Sequence, residues 1–290
     1  MTEKVYALGF FDGVHIAHAD LLRKTVSIAV EKGLTPAVLT FDRQPGNVPL
    51  LTTTEERIRI IHDEFGIHDV TILPFTDELR NTPWKDFLEN ILIKDLSAAY
   101  FVTGYDYRFG SNREGDASLL LHECARRGIG CAVIDKVVSD GVVVSSTAIR
   151  SMVAAGEMTC AAAFLGRNFA YTGVIAHGAH RGTEFGAPTI NLAIGDDLVR
   201  AKFGVYASKT VLDGVAYPSV TNIGVRPTVV ETDIPNAETN ILGFSADVYG
   251  KKVRVELVNF LRPEQKFNNT AALMAQIEAD KIRAKEILAQ

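Results

Sequence analysis

Cysteine is scarce in this chain: 290 residues hold three, Cys124, Cys131 and Cys160, an odd number with no Cys-x-x-Cys spacing. That argues against a disulfide framework and for free thiols in a reducing compartment, so the expected location is cytoplasmic. A surplus of positive charge is also lacking. Lys and Arg number 30 against 35 Asp and Glu, a net charge of -5, so no basic surface invites nucleic acid. No apolar run is long enough to span a membrane. The opening Met-Thr-Glu-Lys leads only into a short apolar run that meets Asp12, so neither signal peptide nor membrane contact is expected. Internal repeats and low-complexity segments are absent. What is present is a globular composition, 47% hydrophobic and 22% charged, long enough for two domains. The expected partners are small molecules, with homo-oligomerisation left open.

The first half alternates strand-like and helical runs. Val5–Phe11, Pro36–Phe41, Val70–Phe75, Ala98–Thr103 and Cys131–Val137 are short and apolar, as buried parallel strands are. Between them a helix from about His15 to Lys32 stops at Gly33, and another has Thr54 as N-cap with Gly66 beyond its end. A third has Thr82 as N-cap with Pro83 at N1, and a fourth runs from about Asp116 to Arg127 before Gly128. Five such alternations predict a doubly wound α/β sheet whose ligands sit at the C-terminal strand ends.

After a helical stretch over Thr147–Leu165 the texture changes. Tyr171–Ala176, Gly204–Leu212, Ala216–Ile223, Ser245–Tyr249 and Lys252–Phe260 read as strands, with Asp213-Gly214 and Tyr249-Gly250 as hairpin turns. Helix returns at Thr270–Leu288. The pattern predicts a small antiparallel β-barrel with a C-terminal helix, and divides the chain near Gly166 into domains 1–165 and 166–290.

Four segments carry candidate chemistry. Gly9-Phe10-Phe11-Asp12-Gly13-Val14-His15-Ile16-Ala17-His18 joins the first strand to the first helix. His15 and His18 are spaced i, i+3, which places both imidazoles on one face of the first turn, where free N–H groups and the helix dipole favour a phosphate. The spacing is not His-Glu-x-x-His and no Cys or carboxylate cluster lies nearby, which weakens a zinc reading. Ser145-Ser146-Thr147-Ala148-Ile149-Arg150 enters a helix. Its hydroxyls alone are caps, but with Arg150 one turn in they form a polyphosphate clamp. Gly104-Tyr105-Asp106-Tyr107-Arg108-Phe109-Gly110 follows the fourth strand, and its aromatics serve equally as core or as a stacking platform. In the second half, His177–Gly186 is glycine-rich and leads into Pro188-Thr189-Ile190-Asn191. Gly178 and Gly182 let a backbone approach phosphates, while the oxygens of Thr189 and Asn191, two apart in a strand, suit Mg²⁺. Glu238 reads as solvated unless the fold aims it at this loop.

With these residues in view, the chain resembles the bacterial bifunctional riboflavin kinase/FMN adenylyltransferase family, also called FAD synthetase. Gly9–His18 is similar to the family's Gly-x-Phe-Asp-Gly-x-His-x-Gly-His, Gly104–Gly110 to its Gly-x-(Asn/Asp)-aromatic-Arg-Phe-Gly, and Ser145–Arg150 to its Ser-Ser-Thr-x-Ile-Arg. Gly178–Asn191, Asn222–Thr228, Glu238–Phe244, Tyr249-Gly250-Lys251 and Leu261–Phe267 match later blocks in order. The resemblance implies a nucleotidyltransferase-like, Rossmann-like domain making FAD and pyrophosphate from FMN and ATP, followed by a barrel making FMN from riboflavin and ATP with Mg²⁺. It implies that His15 and His18 stabilise the transferring α-phosphate. Gly9, Phe10, Asp12, Ser145, Ser146, Thr147 and Arg150 would hold ATP in the first domain, and Gly178 and Gly182 its phosphates in the second. Asp106, Tyr107, Phe109 and Arg262 would hold flavin, Thr189 and Asn191 the metal, and Glu238 would take the ribityl hydroxyl proton.

The chain departs from the family at several points. Ala17 replaces a usual Gly, and Phe41-Asp42-Arg43-Gln44-Pro45 replaces Phe-x-Pro-His-Pro, so Gln44 stands for a histidine. In the second half Thr183 replaces Arg, Asn240 a His and Gly243 an Asp. These departures keep a second reading in play, an adenylyltransferase whose barrel only binds flavin. A third, an RNA-binding barrel, lacks both the basic stripe and the exposed aromatics.

Overall fold

The computed structural model describes residues 3–46, 48–175, 189–225, 235–244, 246 and 248–289. Contacts divide the chain into two compact units, residues 1–48 with 54–145, and 49–53 with 146–290.

The first unit is built on five parallel strands: β1 (Lys4–Leu8), β2 (Thr35–Phe41), β3 (Asp69–Leu73), β4 (Ala98–Gly104) and β5 (Gly130–Ile134). Their order in the sheet is β3-β2-β1-β4-β5, so the chain reverses its direction of growth between β1 and β4, the switch point at which doubly wound sheets bind ligands. The Rossmann-like expectation holds. Val5, Ala7 and Val38 face a core with Leu22 and Ile28 of α1 (Ile16–Lys32) and Ile60 and Ile61 of α2 (Thr54–Phe65). Tyr6, Leu8 and Leu39 face a second core with Phe87, Leu88 and Leu120. Burial on both faces is why these strands read as continuous apolar runs. Helix α1 closes at Gly33, whose φ of 67° lets its N–H reach the last carbonyls.

Several boundaries differ from expectation: β3 ends at Leu73 and β5 at Ile134, short of Phe75 and Val137, and Thr54 is the first residue of α2 and not its N-cap. β1 ends at Leu8, because Phe10 and Phe11 are spent on the turn that follows. Thr82 is a C-cap: its N–H donates to Leu79 O at 3.2 Å and its hydroxyl to Glu78 O at 2.9 Å, ending the short helix Asp77–Asn81. The next helical segment begins at Trp84, with Pro83 as its N-cap.

In the second unit, β6 (Phe169–Val174), β7 (Ile190–Ala193), β8 (Gly204–Leu212), β9 (Val215–Val225), β10 (Pro235–Ile241) and β11 (Lys252–Arg262) form an antiparallel sheet in the order β6-β11-β8-β9-β10-β7. Its edge strands β6 and β7 approach each other, nearly closing a barrel. Asp213 (φ 48°) and Gly214 (φ 81°) form the expected tight turn between β8 and β9. Inside, Phe169, Tyr171, Tyr206, Val255 and Leu257 are buried. Beside them runs a chain of fully buried hydroxyls, Thr210, Ser219, Ser208, Thr221 and Thr239, linked at 2.7–3.0 Å. Buried hydroxyls are tolerated because they bond to one another. The terminal helix Thr270–Leu288 packs on β8, β9 and β11.

Three expectations here are revised. The helical stretch is two helices, Ser146–Ala155 and Met158–Leu165, broken at Gly156 (φ 81°). β10 was not anticipated. Ser245–Tyr249 supplies no strand among its described residues, so Tyr249-Gly250 is a turn without a hairpin. Both sides of β11 are already paired, by β6 and β8.

The second unit also takes in a strap from the first half of the chain. Leu50 pairs in parallel with Leu198, its N–H donating to Asp197 O at 2.7 Å and its carbonyl accepting from Val199 N–H at 2.8 Å.

Candidate active sites

The turn after β1 is held in an unusual conformation. Phe11 (φ 58°), Gly13 (φ 77°) and Val14 (φ 40°) all lie in the left-handed region, which a β-branched residue such as Val14 rarely adopts. Gly9 makes this possible, since a Cβ there would sit 3.0–3.4 Å from the Phe11 ring folded back over it. Left-handed non-glycine residues cost about 1–3 kcal/mol each, so something must hold the turn. The Phe10 carbonyl accepts from the Thr40 hydroxyl at 2.9 Å and from Arg57 Nη1 at 2.9 Å. Arg57 Nη2 reaches the Phe41 carbonyl at 2.7 Å, and the guanidinium lies 4.5 Å from the Phe10 ring centroid. Hydrogen bonds from a charged donor contribute about 1.5–3 kcal/mol each, the same size as the strain they oppose. Arg57 is 0% exposed. Burial lowers its pKa to about 10, against the pull of Asp12 and Asp42, so it stays cationic at neutral pH.

His15 is the N-cap of α1 and lies outside the helix proper, with φ −72° and ψ 173°. Its Nδ1 accepts the His18 backbone N–H at 3.3 Å. That bond requires a lone pair on Nδ1 and leaves the neutral ring's proton on Nε2. The His18 ring stacks on His15 with centroids 3.6 Å apart and planes 12° off parallel, and meets the Phe11 edge at 5.2 Å. The expectation that both imidazoles share a face is met, through a cap and a first-turn residue. Asp12, within the same turn, is buried at 1% exposure.

The Gly104–Gly110 segment divides between the two readings left open for it. Phe109 is core, and Tyr107 stacks on it at 5.6 Å, its phenol pKa raised by burial. Tyr105 and Asp106 are exposed. Ser145 precedes the helix on which Ser146, Thr147 and Arg150 lie, with Thr147 the most exposed and Arg150 one turn in.

In the second unit β7 and β10 run antiparallel with Asn191 opposite Glu238, which puts both side chains on one face. The Thr189 hydroxyl donates to Glu238 Oε1 at 2.9 Å, and Asn191 Oδ1 accepts from Asn236 Nδ2 at 3.1 Å. The fold therefore aims Glu238 at the Pro-Thr-x-Asn segment. A hydroxyl that donates its proton keeps its lone pairs, and an amide oxygen with one partner keeps another. Thr189 and Asn191 thus form the sparse set of hard oxygens that fits Mg²⁺ with nucleotide phosphates. Asn240, two residues beyond Glu238, shares its face, and Gly243 takes a turn at φ 71° where glycine is unstrained. Gly178, Gly182 and Thr183 lie outside the described residues.

Arg262 forms a forked ion pair with Asp280 of the terminal helix, Nε to Oδ1 at 3.0 Å and Nη2 to Oδ2 at 2.7 Å, and Gln276 supports the same carboxylate at 2.9 Å. The structure thus occupies the guanidinium with Asp280. Sequence reasoning missed Arg57 and Thr40. The available signal was an arginine three and four residues before Ile60 and Ile61, on the apolar face of α2.

A family model described as FAD synthetase matches residues 1–148, and one described as riboflavin kinase matches residues 165–288. The bifunctional riboflavin kinase/FMN adenylyltransferase of Bacillus subtilis is 32% identical over 293 residues, covering 98% of this chain and 92% of that protein. The Escherichia coli K12 protein of the same name is 32% identical over 290 residues, 97% and 92% of the two chains. A crystal structure described as a macrolide-efflux protein from Streptococcus pneumoniae has a TM-score of 0.88 at 27% identity over 98% of this chain and 94% of its own. No helix among the described residues here is long and apolar enough to cross a membrane.

Proposed function

The chain belongs to the bifunctional riboflavin kinase/FMN adenylyltransferase family, and on that footing we propose how its own residues carry the two reactions. It phosphorylates riboflavin with ATP to FMN, then adenylylates FMN with ATP to FAD and pyrophosphate. We assign adenylyl transfer to residues 1–165 and phosphoryl transfer to residues 166–290, a division supported by where the two family matches fall.

In adenylyl transfer an FMN phosphate oxygen attacks the α-phosphorus of ATP and the bond to pyrophosphate breaks. Negative charge builds on the non-bridging oxygens, so fixed donors count most there. His15, its Nδ1 tied to the backbone, presents Nε2–H as such a donor, and His18 stacked upon it adds a second. Gly9, Phe10 and Asp12 line the ATP side, and Ser145, Ser146, Thr147 and Arg150 hold its phosphates. The exposed Asp106, on the rigid base of Tyr107 and Phe109, orients flavin.

In phosphoryl transfer Glu238 accepts the proton of the ribityl hydroxyl as it attacks the γ-phosphorus. The Thr189 bond at 2.9 Å fixes its carboxylate and is the observation that carries the assignment. Thr189 and Asn191 would hold Mg²⁺, which when bound would neutralise charge on the phosphates. Gly178 and Gly182 approach the nucleotide, and Arg262, locked by Asp280, shapes the flavin side. We assign the enzyme to the cytoplasm, a reading that its three free cysteines support.

Counting nucleotide products tests the assignment of the two reactions. With FMN and MgATP the enzyme should release one pyrophosphate per FAD and no ADP. With riboflavin it should release one ADP for every flavin phosphorylated, counted as FMN plus FAD, and one pyrophosphate per FAD. Pyrophosphate without FAD, or ADP without either FMN or FAD, would contradict it.

A further inference from the structure

A guanidinium in a protein core costs free energy unless its donors find acceptors. Arg57 finds two main-chain carbonyls, Phe10 at 2.9 Å and Phe41 at 2.7 Å, with a longer contact to the Thr54 hydroxyl one turn back at 3.3 Å. Phe41 is the last residue of β2, and Phe10 lies two residues beyond the end of β1. The β1–β2 pairing ends at Leu8 and Leu39, so that ladder reaches neither carbonyl. The fork of an arginine spans both carbonyls at once, which a lysine cannot do. The Phe10 carbonyl is the hinge of the left-handed turn whose next residues are Phe11, Gly13 and Val14, and that turn delivers His15 to the N-cap of α1. An apolar residue would fill the same place on α2 beside Ile60 and Ile61 but could not grip the turn.

We propose that Arg57 is a positioning residue for adenylyl transfer, tying the ends of β1 and β2 together so that the strained turn presents His15 and His18 to the α-phosphate. The proposal rests on the adenylyltransferase reading of the first unit. Arg57 touches no reacting atom. It acts through the Phe10 carbonyl, with Thr40 as its partner on the same oxygen, and its buried charge adds positive potential behind the turn.

The test is steady-state kinetics of FAD formation from supplied FMN by the full-length wild type, Arg57→Met and Arg57→Lys, with riboflavin phosphorylation by the same samples as internal control. Arg57→Met should lower kcat for FAD formation by roughly tenfold to a hundredfold, the scale of a displaced catalytic group, with KM for FMN changed by less than about threefold. Arg57→Lys should recover part of the loss, and FMN formation should persist in both variants. An Arg57→Met enzyme with wild-type kcat overturns the proposal. So does an equal loss of both activities that Arg57→Lys fails to restore, which is what a residue needed only for packing would give. A wild-type chain that makes no FAD from FMN overturns the adenylyltransferase reading and this proposal with it, whereas active wild type with active Arg57→Met overturns the positioning role alone.

Discussion

His15 and His18 lie face to face, ring centroids 3.6 Å apart, with the backbone N–H of one bonded to the Nδ1 of the other. A single side chain therefore caps a helix and presents a donor, and two substitutions separate these duties. His15→Asn keeps a capping oxygen and removes the imidazole, while His15→Ala removes both. Both should lower FAD formation from FMN by roughly a hundredfold or more, the worth of a positioned donor. His15→Ala alone should also lose about 1 kcal/mol of stability with the cap. Full activity in His15→Asn would show that capping was the whole role.

Arg150 stands one turn into the helix that begins at Ser146. Replacement by Ala takes away a guanidinium suited to a forked phosphate contact and leaves a good helix former. The KM for ATP in FAD formation should rise while FMN formation from riboflavin is unchanged. ATP saturation curves that superimpose on the wild type would remove Arg150 from the site.

Much of this architecture is legible in the sequence, for a physical reason. Strands buried on both faces must be apolar throughout, and their helices end at glycines such as Gly33 and Gly128, which cap at positive φ. Strand β10 escapes the same reading because its alternation is faint: Asn236, Glu238 and Asn240 on one side face Pro235, Ala237, Thr239 and Ile241 on the other, and of these only Ile241 is a large apolar residue. Ser245–Tyr249 misleads in the opposite sense, alternating like a strand where no free strand edge remains on β11. Of the first site, the histidines could be read because a strand-to-helix turn is local. Arg57 showed only as an arginine on the apolar face of α2, and its grip on the turn stayed hidden, since the two carbonyls lie 47 and 16 residues away in sequence.

Glu238→Gln keeps an oxygen for the Thr189 hydroxyl and removes the base. FMN formation should fall by roughly 10²–10⁴-fold, the usual worth of general-base catalysis, with FAD formation from supplied FMN intact. A loss within a few-fold of the wild type would assign the proton to another acceptor.

Thr221 joins two buried partners, Ser208 at 2.7 Å and Thr239 at 2.8 Å. Thr221→Val keeps the shape, strands Thr239 and leaves Ser208 with Ser219 alone, so the barrel should lose about 1–3 kcal/mol. The urea midpoint for loss of FMN formation should drop accordingly. An unchanged midpoint would mean that the hydroxyl chain contributes nothing to stability.

The claim that one chain performs both steps is tested most directly by a chromatographic time course of wild-type enzyme with riboflavin and excess MgATP and no added FMN. FMN should appear first and FAD should follow after a lag, accumulating as riboflavin disappears. A chain that makes FAD from supplied FMN but leaves riboflavin untouched at saturating MgATP would contradict the account and reduce the barrel to a flavin-binding module.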